Sequence, residues 1–170
     1  MTIEQANEYF SSLPEGFAPA EELRAALLTA DVQKVQFVGV AGTAGKTAAA
    51  GLLAAILREA AFHVGFYRAG CEPLSARIAI GGVSVDPMLL CQAAEALSAA
   101  KPLPREAAEL AAAARCFGAA GCKLAVVELP DAGLASALPN MPVCAVTAIG
   151  PDGVSRSVER LAALAAGVMR

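Results

Sequence analysis

The stretch Gly39-Val40-Ala41-Gly42-Thr43-Ala44-Gly45-Lys46-Thr47 has the residue types and spacing of a phosphate-binding loop. Glycines let successive backbone N–H groups turn inward around phosphate oxygens, and a helix N-terminus behind them adds its positive end. On this reading Gly42, Thr43, Ala44, Gly45, Lys46 and Thr47 form the ATP- or phosphate-binding set. Lys46 bridges the β- and γ-phosphates, and the Thr47 hydroxyl is offered to magnesium. The strict pattern places glycine five residues before Gly45, where Val40 stands, with Gly39 one place early. The competing reading is a glycine-rich turn with a capping threonine and a solvent-exposed lysine.

Four further groups have types suited to the same chemistry. Glu128 closes an apolar run at what would be the carboxyl end of a strand, where open α/β sheets bind ligands. It is a candidate magnesium ligand with Thr47, or a simple strand-end cap. Asp131 and Asp152 fall near the same edge as further acidic candidates, or are loop residues. Arg68 and Arg77 contact phosphate or pair with acids, and Arg77, on an alternating strand, reads as part of a solvated face. Cys71 lies in a loop near these groups but has no partner base in the sequence, so it is not read as a nucleophile.

These residues need a frame. Val35 to Val40 is a short, nearly continuous apolar run, as in a buried parallel strand. Thr47 to Ala61 is proline-free and helical, and His63 to Tyr67 is a second strand. Arg77 to Ile80 and Val83 to Val85 flank Gly81-Gly82 and read as a hairpin. Asp86-Pro87 opens a helix that runs to about Ala99, with an N-cap followed by proline at N1. Pro104 to Ala120 is helical and closed by Gly121. Lys123 to Glu128 and Met141 to Thr147 are further strands, and Val154 to Met169 is a last helix. Two helices precede all of these. One is opened by a Thr2/Gln5 capping pattern and the other runs from Pro19 to Thr29. The expected fold is α/β, a mostly parallel sheet with helices on both faces. The expected organisation is one P-loop ATP-binding domain over 1–170, with N-terminal helices in 1–30 and the sheet–helix core in 35–170.

Composition narrows the partners. Of 170 residues, 56% are hydrophobic and 17% charged, so global disorder is excluded. Alanine accounts for 41 of them, which favours helix while burying little area per residue. The net charge of −3 supplies no basic footprint for nucleic acid. No stretch provides the ~20 apolar helical residues that cross a bilayer. The N-terminus has Glu4 and Glu8 and no basic region, so no signal peptide is read there. Five cysteines without CxxC spacing read as reduced thiols in a cytoplasmic protein. The helix from Pro104, with Leu110, Cys116 and Phe117, is a candidate homodimer surface.

The segment Val38 to Leu53 resembles the phosphate loop of the Mur ligase and folylpolyglutamate synthase superfamily, with its GTxGK core and leucine-rich helix. The likeness continues along the chain in order. Glu4 to Leu13 resembles the N-terminal helix of folylpolyglutamate synthases, His63 to Tyr67 their second strand, and Arg77 to Asp86 their hairpin. Lys123 to Glu128 resembles the strand ending in a metal-binding glutamate, and Thr147 to Asp152 a Thr-Ser-Ile-Gly-Leu-Asp stretch. The resemblance implies an ATP-dependent carboxylate–amine ligase with ATP and Mg2+ as cofactors. Such an enzyme makes an acyl phosphate, from which an amine displaces phosphate. It also implies a C-terminal domain, which is expected to be absent here.

Several positions depart from the family. A polar residue is usual where Ala44 stands, and Thr47-Ala48 gives the Mur-like order. The family's magnesium-holding serine after the second strand falls at Ala69, its metal-binding histidine at Gly153, and its second-metal lysine at Ala165. The glycine-rich run with arginine is replaced by Leu129 to Ala135, and His63, the sole histidine, reads as structural. Phosphoryl transfer gathers negative groups that metal ions must neutralise, so these losses affect catalysis more than ground-state phosphate binding. The expectation is a folylpolyglutamate synthase-like ATP-binding domain, inactive alone and competent for ligation only with a separate partner subunit. The alternatives are an inactive nucleotide-binding or scaffold protein, and a structural module with an empty loop.

Overall fold

A computed structural model of the chain describes residues 1–16, 18–130 and 132–148. Asp131, Asp152 and the expected helix from Val154 to Met169 lie outside the described residues.

Thr2 opens α1 (Ile3–Ser12) with a reciprocal capping box. The Gln5 N–H donates to Thr2 Oγ1 at 3.3 Å, and the Thr2 N–H donates to Gln5 Oε1 at 2.8 Å. After α2 (Ala20–Leu27) and a short 3₁₀ turn comes β1 (Gln36–Ala41), then α3 (Lys46–Glu59) and β2 (Val64–Tyr67). A one-turn helix, α4 (Leu74–Arg77), precedes the hairpin β3 (Ile78–Ile80) and β4 (Val83–Ser84). Arg77 therefore ends a helix instead of starting a strand. Asp86 caps α5 (Pro87–Ser98), accepting from the Met88 N–H at 2.8 Å. The remaining described elements are α6 (Arg105–Ala119), β5 (Leu124–Glu128), a second 3₁₀ segment (Ala132–Ala137) and β6 (Val143–Val146).

The sheet order is β4-β3-β2-β5-β1-β6. Strands β2, β5, β1 and β6 are parallel, and the β3–β4 hairpin adds two antiparallel strands at one edge. Successive side chains along a strand alternate between faces, and the two faces have separate cores. Under α3, Val40, Val64 and Val126 pack with Ala50 and Ala54. On the other face Phe37, Tyr67, Ala125 and Val127 share one cluster with residues of α1, α2, α5 and α6.

The alanine-rich α6 is the inner helix of that second layer, touching β2, α1, α2 and α5. Its small side chains permit close approach. A Cβ on Gly65 of β2 would stand 2.4 Å from Phe117 Cδ1, so glycine is required where α6 crosses the sheet. Leu110, Cys116 and Phe117 are all buried within the chain. This corrects the expectation that α6 offers a dimer surface, because its apolar positions are already spent on the sheet and neighbouring helices.

Candidate functional site

The carboxyl ends of β1, β5 and β6 meet at one edge of the sheet, and the loop 42–45 rises from β1 there. Gly42 and Gly45 have φ of +133° and +78°, conformations that an L side chain rarely adopts. At Gly42 a Cβ would also stand 2.6 Å from Thr147 Oγ1 and 2.8 Å from the Ala148 carbonyl oxygen. The loop is tied to the end of β6 at several points. The Thr43 N–H donates to the Ala148 carbonyl at 2.8 Å, and the Thr147 N–H to the Ala41 carbonyl at 3.0 Å. The Thr147 hydroxyl lies 2.6 Å from the Ala44 carbonyl and 3.2 Å from that of Ala41, and donates to one at a time. Beyond Gly45 the chain enters α3 at once, with the Ala49 N–H donating to the Gly45 carbonyl at 3.0 Å.

Lys46 folds back over this loop, its Nζ donating to the Gly42 carbonyl at 2.8 Å. Thr47, one residue on, reaches the end of β5. Its hydroxyl makes a partly buried contact there, 3.0 Å from Glu128 Oε1 and 3.1 Å from Oε2. Glu128 is only 4% exposed. Register explains the meeting, since Glu128 pairs with Val40 two residues before Gly42. A hydroxyl has one proton, while a carboxylate has about four lone-pair sites. Among the described residues this buried carboxylate has no second hydrogen-bond donor. It therefore keeps free acceptor capacity beside a hydroxyl oxygen, a donor set that suits a hard divalent cation completing its shell with waters and phosphate oxygens. No group of three or more His, Cys, Asp or Glu side chains fit to hold a metal occurs among the described residues.

The structure thus brings together Gly42, Thr43, Ala44, Gly45, Lys46, Thr47 and Glu128. Asp131 and Asp152 lie outside the described residues, and Ala69 follows β2 without any metal-binding group. Two features escaped the sequence. Thr147 fastens the loop from 103 positions beyond Ala44, which only the parallel β1–β6 pairing reveals. The other is a buried ionic cluster on the opposite face. Arg77 is 2% exposed, so the solvated-face reading is wrong. Its guanidinium donates to Glu109 Oε1 at 2.5 Å, to the Glu72 carbonyl at 2.8 Å and to the Tyr67 hydroxyl at 3.5 Å. Arg105 joins Glu109 at 3.1 Å. Burial, the largest single influence, lowers the Arg77 guanidinium's pKa; the charge and hydrogen-bond interactions with Glu109 and Tyr67 together outweigh it and raise the pKa. Burial pushes the Tyr67 hydroxyl far above its ordinary range. The i,i+4 spacing of Arg105 and Glu109 was the one sequence signal for this cluster.

Sheet order and the strand–loop–helix unit define a mostly parallel α/β fold with a glycine-containing turn between β1 and α3. That fold is shared with the folylpolyglutamate synthases of the Mur ligase superfamily. A structure described as an FPGS-AMPPCP-folate complex matches at a TM-score of 0.81 and 22% identity, over 100% of this chain and 46% of its own. E. coli FolC in complex with DHPP and ADP matches at 0.80 and 20%, over 99% of this chain and 44% of its own. Mycobacterium tuberculosis folylpolyglutamate synthase complexed with ADP matches at 0.79 and 21%, over 98% and 42%. The chain spans less than half the length of these proteins. No protein-family model and no curated protein sequence matches it. Among the described residues no helix is long and apolar enough to cross a membrane.

Proposed function

We infer that this chain is the nucleotide-binding unit of a folylpolyglutamate synthase-like ligase, taking ATP or ADP on the loop from Gly42 to Thr47. The observation that carries this reading is the buried Glu128 carboxylate, spare in acceptor capacity and bonded to Thr47 at the mouth of a glycine loop. In this account the loop N–H groups, apart from that of Thr43, which is held by the Ala148 carbonyl, and the start of α3 face the phosphates. Lys46 leaves the Gly42 carbonyl and turns its ammonium to phosphate oxygen. Thr47 and Glu128 hold Mg2+, which when bound neutralises charge on the phosphates. The ADP and AMPPCP named for the matching structures favour the same ligand class.

Carboxylate–amine ligation follows only when a second domain or a partner subunit closes the site. Closure is needed because an acyl phosphate must be shielded from water. A second reading, nucleotide binding without turnover, is favoured by Ala69, Gly153 and Ala165 at the positions where the family resemblance places metal-shell side chains. Reduced thiols fit a cytoplasmic setting for either. Asp131 and Asp152 remain proposals as further acidic groups.

A thermal-shift series with ADP, AMPPCP and Mg2+ tests the common core. Saturation at 100 times the dissociation constant stabilises by about 2.7 kcal/mol. For a chain of this length that raises the melting temperature by about 5–10 °C. No shift with either nucleotide contradicts the proposal. Release of ADP with a pterin-type or peptide-precursor acceptor, glutamate and a candidate partner would distinguish the ligase from the non-catalytic reading.

A further inference from the structure

At the carboxyl end of β2 stands an arginine that the phosphate loop does not account for. Tyr67 pairs with Val127 across β2 and β5, so the next residues, Arg68 and Glu128, are level at the strand ends. The Arg68 N–H still donates to the Arg77 carbonyl at 2.9 Å, carrying the pairing pattern one residue past β2. Alternation fixes the face. Phe66 and Val126 pack under α3, whereas Tyr67 and Val127 belong to the opposite core. Alternation carried one residue past β2 starts the Arg68 side chain, like that of Glu128, on the α3 side, from which Thr47 reaches Glu128, while the Arg68 guanidinium is drawn to Glu72. Adjacent strands are ~4.8 Å apart, and β5 separates β1 from β2. Arg68 thus stands beyond Glu128 as seen from the loop. The Arg68 side chain is one-third exposed, and its guanidinium is held at 2.9 Å by Glu72, an i,i+4 pair in which the Glu72 side chain is half exposed. Such pairs exchange readily with other anions.

We propose that Arg68 is the γ-phosphate-selecting group of this site, parked on Glu72 without nucleotide and transferred to the terminal phosphate when a triphosphate binds. The proposal rests on the reading that nucleotide occupies the loop. A diphosphate held by the loop backbone and Lys46 ends short of Arg68. A third phosphate extends past Glu128, and the planar guanidinium fork matches phosphate oxygens. Arg68 therefore separates ATP from ADP in a site whose loop contacts are common to both.

The test is calorimetric titration of ADP and AMPPCP, each with Mg2+, into wild type, Arg68→Ala and Glu72→Gln. Glu72→Gln keeps the backbone carbonyl that Arg77 uses. Arg68→Ala should weaken AMPPCP roughly tenfold, the loss of one charge-assisted contact, and leave ADP unchanged. Unchanged ADP binding also shows that the variant is folded. Glu72→Gln should tighten AMPPCP about two- to fivefold. Equal weakening of both nucleotides by Arg68→Ala, or of neither, overturns the role of Arg68 and leaves the loop reading standing. An unmoved AMPPCP affinity in Glu72→Gln overturns the parked state. A wild type that binds neither nucleotide overturns the loop reading and Arg68 with it.

Discussion

Replacing Glu109 with alanine strips the buried Arg77 guanidinium of its countercharge. Among the described residues what remains to Arg77 is the Glu72 carbonyl at 2.8 Å, the Tyr67 ring with its centroid 5.9 Å away, and the Tyr67 hydroxyl at 3.5 Å, too long to be strong. The side chains of Arg77 and Glu109 are 1% and 4% exposed, so water cannot take the lost partner's place. Removing one member of such a pair costs about 3–5 kcal/mol. Alanine's better helix propensity in α6 returns only a few tenths. Against a total of ~5–15 kcal/mol for an ordinary domain, this brings the variant near the limit of folding. Arg105 matters less, because it is partly exposed and free to turn outward. Urea denaturation followed by far-ultraviolet circular dichroism reads the loss. The double variant Arg77→Met with Glu109→Leu removes both charges and should recover most of it. A Glu109→Ala variant within about 1 kcal/mol of wild type would refute the buried pair.

Gly42→Ala should cost at least ~2 kcal/mol and abolish nucleotide binding, from the positive φ and the clash with Thr147 and the Ala148 carbonyl; wild-type-like binding would contradict the loop geometry. Thr2→Ala should cost about 0.5–1 kcal/mol through loss of the capping box, read by denaturation. Alkaline pH should destabilise the fold. Burial pushes the Cys116 thiol up to about 12 and that of Cys122 to about 11, against an ordinary 9.0. Above pH 9 the unfolded chain releases these protons while the native state keeps them. Each thiol then removes up to ~1.4 kcal/mol per pH unit until its native pKa is reached. Denaturation midpoints at pH 8 and 10.5 under reductant should show the fall, and a flat profile would contradict it.

What the sequence made legible was local. The Thr2/Gln5 box, the Asp86-Pro87 helix start, the Gly81-Gly82 hairpin and the loop glycines depend on neighbours a few residues away. Their types reveal them without knowledge of the fold. The Glu128 partnership was readable because a strand-end acid and a helix-start threonine follow from the α/β pattern. Arg77 was misread because its alternation belongs to the next strand, while its own side chain closes a one-turn helix against α6. The α6 surface was misread for a related reason. Apolar positions on a helix do not say whether they face this chain or another, and only the β2 crossing at Gly65 settles that. Thr147 needed the β1–β6 register before its grip on the loop could be seen.

The central claim is that a nucleotide's phosphates sit on the loop around Lys46. Calorimetric titration of AMPPCP with Mg2+ into wild type and Lys46→Ala tests it most directly. Among the described residues Nζ reaches only the Gly42 carbonyl, so the substitution should leave the melting temperature nearly unchanged. The account predicts saturable one-to-one heat in wild type and none in a folded Lys46→Ala. Equal binding by both proteins, or no heat in wild type, would contradict it.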